Sequence, residues 1–197
     1  MFKSKKRYEL RTAGDPVLSQ IAAPVPEITP EIRELANEML QHMIVFDGIG
    51  LAAPQYGRSL RLIVIDVPCS DEEKEQLTEF EAGMYASMPM VLVNPEIIGR
   101  SDTLSEREEG CLSVPGIYAP VIRPEEISFT AKMLDGNVVS GTCGGLLGRC
   151  LQHEIDHLDG FLFTDKLSPD AADRISGQLR SLTESGRSRN YRRIIRK

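Results

Sequence analysis

The chain lacks any apolar run approaching the ~20 residues that a membrane-spanning helix requires, which sets aside an integral helical membrane protein and leaves no membrane partner expected. Its four cysteines, Cys69, Cys111, Cys143 and Cys150, contain no C-x-x-C pair. The opening Met1-Phe2-Lys3-Ser4-Lys5-Lys6-Arg7 is basic, but no apolar stretch follows it, so it does not read as a secretory signal. The expected compartment is therefore the cytoplasm, where thiols stay reduced and disulfides do not form. An excess of positive charge is lacking as well, with 23 Lys and Arg against 29 Asp and Glu. With a formal net charge of -6, the body is not a bulk nucleic-acid binder, and no sequence-specific nucleic-acid contact is expected. Internal repeats and low-complexity tracts are absent. What remains, at 197 residues with 41% hydrophobic and 26% charged, is enough chain for one globular domain with a sizeable core.

Histidine is also rare, at three residues, and two of them fall in His153-Glu154-Ile155-Asp156-His157. Residues four apart in a helix lie one above the other, so both imidazoles can face a single metal ion. Glu154 follows the first histidine and can reach a water on that ion without ligating it. This is the H-E-x-x-H arrangement, two ligands and a general base. Leu146, Leu147, Cys150, Leu151, Ile155 and Leu158 supply a helical apolar stripe around it, and Gly160 offers a stop.

Two histidines leave a site incomplete. A metzincin would carry a third histidine at position 163, which here is Phe163, a residue with no donor atom. A thermolysin-like protease takes a later glutamate, and the only one after the motif is Glu184, in a polar stretch. His42 falls on an N-terminal helix and reads as an ordinary half-buried residue. Cysteine is the better source. Cys111 sits in Glu109-Gly110-Cys111-Leu112-Ser113-Val114-Pro115-Gly116, where glycines and a proline suit backbone shaped around a site. Cys143 and Cys150 read as small buried hydrophobes, and Cys69 as part of a surface loop. On the residues alone, Cys111 and Glu184 both stay open, and so do a zinc endopeptidase and a non-catalytic metal or redox sensor.

A third block, Gly48-Ile49-Gly50-Leu51-Ala52-Ala53-Pro54-Gln55, lies between an amphipathic helix and a strand. Its glycine order and flanking elements are not those of a dinucleotide fingerprint. Together with the Cys111 block and residues 152–160, it resembles the three signature motifs of the peptide deformylase family, in order and without mismatch at the essential positions. The resemblance runs from about residue 17 to about residue 167.

That resemblance implies a hydrolase that removes the formyl group from the N-terminal formylmethionine of new polypeptides. Cys111, His153 and His157 would hold the metal. It would be Fe(2+), with Zn(2+), Ni(2+) or Co(2+) able to take the same ligands. Glu154 would serve as base and then acid, while Gln55 and the backbone N–H of Leu112 would face the formyl oxygen. Gly50 would let the substrate backbone lie close, and Ile49, Leu112 and Cys150 would wall the methionine pocket. Glu109 would brace the site through an arginine, for which Arg123 is the matching candidate.

The elements point to an α+β fold: antiparallel or mixed strands packed around a central H-E-x-x-H helix, with N-terminal and C-terminal helices. The first helix has Thr29 as candidate cap, Pro30 at its first position, and Ile32, Leu35, Ala36, Met39, Leu40 and Met43 at helical spacing, ending at Asp47-Gly48. Strands are expected at residues 62–67, 91–93, 127–133 and 138–142, the last two flanking an Asp135-Gly136 turn. The acidic stretch 69–88 reads as a solvated loop or short surface helix without chemistry. A final helix begins at Ser168-Pro169-Asp170. Residues 1–185 are expected to form one catalytic domain. Residues 186–197 would be a basic tail, carrying Arg187, Arg189, Arg192, Arg193, Arg196 and Lys197 and no acid, able to meet ribosomal RNA phosphates.

Overall fold

The structure is a computed structural model that describes residues 7–189 and 192–196. In chain order it runs through strand β1 (Arg7–Arg11), helix α1 (Pro30–Val45), β2 (Gly50–Ala52), the single turn α2 (Ala53–Tyr56) and β3 (Leu62–Ile65). The short helices α3 (Asp71–Lys74) and α4 (Glu79–Ala86) follow, then β4 (Met90–Arg100), β5 (Leu104–Cys111), β6 (Val114–Pro124), β7 (Ile127–Lys132) and β8 (Val138–Cys143). Helix α5 (Gly145–Leu158), helix α6 (Pro169–Arg189) and β9 (Arg192–Arg196) complete it.

A five-stranded antiparallel sheet in the order β2-β3-β4-β7-β8 is the central layer. Side chains alternate across a strand, and all four residues of β3 are buried because both faces of the sheet are covered. Ile63 and Ile65 join Leu92, Ile127 and Phe129 against Leu147, Leu151 and Leu158 of α5. Leu62 and Val64 turn the other way, onto Ala36, Met39 and Met43 of α1. Each such side chain stabilises the fold by about 1.5–3 kcal/mol when fully withdrawn from water. A separate β5–β6 hairpin stands beside this sandwich, and its Val114, Ile117, Ala119 and Val121 pack with Phe163 and with Ile175 of α6. The architecture is α+β, with the H-E-x-x-H helix at its centre.

The expected strands form, and β4 extends well past residue 93 because bulges between Val93 and Glu96 and between Ile97 and Gly99 absorb Asn94-Pro95. The turn between β7 and β8 has Gly136 at φ 91° and the Asn137 N–H donating to the Asp135 carboxylate at 2.9 Å. Thr29 takes the N-cap position of α1 but makes no side-chain cap bond. His42 is buried rather than half-buried, and its Nδ1 lies 2.8 Å from the Glu38 carbonyl.

Three expectations change. The β5–β6 hairpin was absent from the expected strands, because Leu104–Cys111 has no apolar alternation and three prolines interrupt Val114–Pro124. The acidic stretch contributes to the core after all. Phe80 packs edge-on against Phe129 with ring centroids 6.0 Å apart, and Glu81 accepts from the Gly144 N–H at the start of α5 at 3.0 Å. The division at residue 185 falls inside α6, which continues to Arg189, and the backbone of β9 then pairs antiparallel with β1.

Gly148 sits inside α5, where an added Cβ would lie 2.8 Å from the Cys143 carbonyl oxygen. Backbone cannot step aside as a flexible side chain can. Gly148→Ala should therefore lower stability by about 1–3 kcal/mol, despite alanine's better helix propensity. The midpoint of urea unfolding checks this, and a rise would mean that α5 shifts freely.

Candidate metal centre

Helix α5 meets the site along two rows of i,i+4 neighbours. Arg149, His153 and His157 form one row, and Cys150 and Glu154 the other. Strand β5 supplies Glu109 and Cys111, two residues apart and so on one face. Segment β2–α2 supplies Gly50 and Gln55.

The donor atoms of Cys111, His153 and His157 all lie within 4.8 Å of one another, and this is the metal-type cluster found among the described residues. Cys111 Sγ and His157 Nε2 are 3.3 Å apart. Ligands at normal bond lengths around a tetrahedral ion stand roughly 3.3–3.6 Å from each other, so the cluster has the right dimensions. His153 Nδ1 lies 3.0 Å from Glu109 Oε2. A carboxylate can only accept, so that nitrogen carries the proton and Nε2 is left for a ligand bond. Burial is the main cause that holds the His157 pKa well below its usual value, which favours the neutral ring that a metal ligand requires. The residues fit a divalent cation. Glu184 is exposed on α6 and outside this cluster, so the protease reading loses its third ligand. Phe163, which could not ligate, instead stacks on His153 with ring centroids 6.3 Å apart.

Beneath the ligands lies a network that sequence reading found only in part. Glu109 accepts from Arg123 Nε at 2.6 Å and Nη2 at 2.9 Å, as the Arg123 candidate required. It also accepts from Arg149 Nη1 at 2.7 Å, and Arg149 reaches the Val121 carbonyl and both oxygens of Ser105, each at 3.0 Å. Asp156 takes the remaining guanidinium nitrogen of Arg123 at 2.7 Å. Burial alone would raise the pKa of Glu109, but the bonds from His153 and Arg123 and the Arg123 charge overcome it and hold the carboxyl far below its usual range. The signal for Arg149 was available: it stands four residues before His153, on the same face of the helix.

Glu154 is buried, its Oε2 has no hydrogen-bond partner among the described residues, and burial pushes its pKa up to about 7, against the nearby charge of His153. Gly50 has a role that sequence did not reveal. A Cβ there would collide with the Glu154 carboxylate and lie 2.9 Å from Cys150 Sγ, so the bare backbone makes room for both. Gln55 Oε1 accepts from the Ala52 N–H at 2.8 Å, which aims Nε2 at Ser113 Oγ (3.2 Å) and Cys111 Sγ (3.5 Å). Cys150 is a buried thiol whose pKa burial raises well above normal. Ile49, Gly50, Leu112, Tyr118 and Cys150 line an open cavity of about 460 Å³ that ends on Cys111, His153 and Glu154.

Comparison with known proteins agrees with this geometry. The sequence model for polypeptide deformylase matches residues 7–173. Peptide deformylase 2 of Gloeobacter violaceus is 46% identical over 164 residues, 83% of this chain and 81% of the relative. The peptide deformylase of Dictyoglomus thermophilum is 44% identical over 158 residues, 80% of this chain and 91% of its own. Among solved structures, a peptide deformylase from Synechococcus elongatus in complex with actinonin matches at TM-score 0.70 and 40% identity, covering 84% of each chain. The Ehrlichia chaffeensis peptide deformylase with actinonin matches at 0.78 and 32% identity, covering 92% of this chain and 98% of that one.

Glu109→Gln keeps the shape of the carboxylate but removes the charge that two buried guanidinium groups face. It should cost about 3–5 kcal/mol in urea unfolding and loosen metal binding by about 10- to 100-fold, read by competition with a chelator. Unchanged metal affinity would show that Glu109 does not orient His153.

Proposed function

The chain belongs to the polypeptide deformylase family, and from that premise we propose how its own residues hydrolyse the N-formyl group of formylmethionyl polypeptides to formate and a free amine. The observation that carries the assignment of roles is the buried Glu154 carboxylate near the Cys111, His153 and His157 donors, its Oε2 without a hydrogen-bond partner among the described residues.

A divalent cation held by Cys111, His153 and His157 would supply Lewis acidity and lower the pKa of its water toward ~7. Glu154 accepts a proton from the attacking water as the new C–O bond forms. It then delivers that proton to the nitrogen as the C–N bond breaks. A carboxyl near pH 7 is well matched to both transfers. Gln55 Nε2 and the Leu112 backbone N–H would stabilise the oxyanion, the first held in place by the Ala52–Gln55 bond. Ile49, Leu112 and Cys150 would wall the methionine side chain, with the substrate backbone extended past Gly50.

For the metal we propose Fe(2+). Thiolate and two imidazoles suit iron and zinc alike, and Zn(2+), Ni(2+) or Co(2+) would occupy the same donors. The compartment we propose is the cytoplasm, supported by a thiolate ligand that must stay reduced. No helix among the described residues is long and apolar enough to cross a membrane. The basic segment 186–197 would add phosphate contacts with ribosomal RNA, supported by six cations and no acid. Because β9 pairs with β1, removing that segment would also remove a strand, so charge and structure must be separated by substitution.

Glu154→Gln should keep its metal yet lose about 100-fold or more in kcat on a short formyl-methionyl peptide, followed by formate release. Near-normal turnover with normal metal content would end this assignment. Cys111→Ala should lose the metal itself, which a protease built on another third ligand would retain. Replacing Arg187, Arg189 and Arg196 by glutamine should leave short-peptide turnover intact and reduce salt-sensitive ribosome binding. Equal binding at low salt would remove the tail from recognition.

A further inference from the structure

The β5–β6 hairpin buries one face and exposes the other. On the buried face, Glu109 and Ala119 are cross-strand partners, and Val121 and Arg123 pair with their neighbours, in contact with the core and the metal helix. The exposed face follows from the same register. Gly110 stands opposite Tyr118, Glu108 opposite Pro120, Glu106 opposite Ile122, and Leu104 opposite Pro124. Tyr118 is 63% exposed, Ile122 51% and Leu104 61%, large apolar side chains in a row rather than scattered.

This row begins inside the catalytic cavity. Glu108, Gly110 and Tyr118 line the cavity, and Tyr118 lies so close over Gly110 that a Cβ there would be 2.5 Å from its ring. From Gly110 back to Leu104 the strand advances roughly 20 Å, enough to accompany about six extended residues. Its charge is of one sign. Glu106 and Glu108 are exposed on it, and Asp47 is exposed on the opposite lip of the cavity. Arg107 belongs to the other face and sits 3.8 Å from Glu125. Arg149, the one arginine or lysine lining the cavity among the described residues, is committed to Glu109, Val121 and Ser105.

A formylated N-terminus carries no charge, so electrostatic selection of the substrate must act on side chains further along. We propose that the outward face of the β5–β6 hairpin is a docking strip for the downstream part of the same formylated polypeptide, favouring apolar and basic side chains and disfavouring acidic ones. This rests on the deformylase reading of the site. The occupant follows from two observations: the strip is continuous with the cavity that would hold the formylated end of the substrate, and its two carboxylates, Glu106 and Glu108, stand directly across from the apolar Ile122 and Pro120.

The test uses the metal-loaded enzyme, a formylated tripeptide and two formylated nonamers. The nonamers differ only beyond the third residue, one carrying lysine and leucine, the other glutamate and serine. The wild type should process the basic, apolar nonamer with kcat/KM about 3- to 10-fold above the acidic one, through KM with kcat unchanged, and less so at high salt. Glu106→Lys, and separately the Leu104→Ser, Ile122→Ser pair, should erase that preference while tripeptide turnover stays within about 2-fold, which also reports an intact fold. A preference kept by both variants, or absent from the wild type, overturns the strip. Failure of the wild type on the tripeptide overturns the deformylase reading and the strip together.

Discussion

A single buried carboxylate, that of Glu109, holds the centre together. It accepts four hydrogen bonds, two from Arg123, one from Arg149 and one from His153, and these donors come from β6 and from two turns of α5. Two guanidinium groups and a carboxylate are costly to bury apart and tolerable only together, with every donor placed. The network therefore specifies one docking of the hairpin on the metal helix. Cys111 lies two residues along β5 from Glu109, so the same contact that orients His153 also brings the Cys111 sulfur to it.

The helix that carries His153, Glu154 and His157 also packs its apolar face on the sheet core. Leu147, Leu151 and Leu158 anchor α5 against Ile63, Ile65 and Phe129, while its other face presents His153 and Glu154 to the cavity, with His157 fully buried behind them. Rigid packing on one side is what lets charged and polar groups be held at fixed spacing on the other. Small residues complete the fit. Gly50 leaves space for the Glu154 carboxylate, and Gly48 lets Leu112 come within 2.7 Å of where a Cβ would stand. Glycine at these places serves close approach, and it brings the Gly48–Gln55 block of the sequence within reach of chemistry on a helix a hundred residues later.

Several features were legible because they depend only on local order. The i,i+4 histidines, the apolar stripe of α5, the Asp135-Gly136 turn and the α1 periodicity all reflect fixed geometric repeats of the backbone, and each formed. The β5–β6 hairpin was not legible, since its exposed face alternates charged residues with prolines and apolar groups instead of polar with apolar. The reach of the C-terminal segment was not legible either. Its composition reads as a solvated tail, but the backbone of β9 returns to β1, a pairing set by two chain ends far apart in sequence.

The sequence by itself determined the identity of the donors, thiolate, two imidazoles and a neighbouring carboxylate, because residue type fixes which atoms can bind a cation or move a proton. It also determined the helix that spaces two of them, since that spacing is a property of one continuous turn. Only the tertiary structure decided that Cys111 rather than Glu184 stands beside the two histidines, that Arg149 shares Glu109 with Arg123, and that Gly50 clears the space for Glu154. These are meetings between segments separated by dozens of residues. They depend on how the sheets and helices close around one another, which no local pattern encodes.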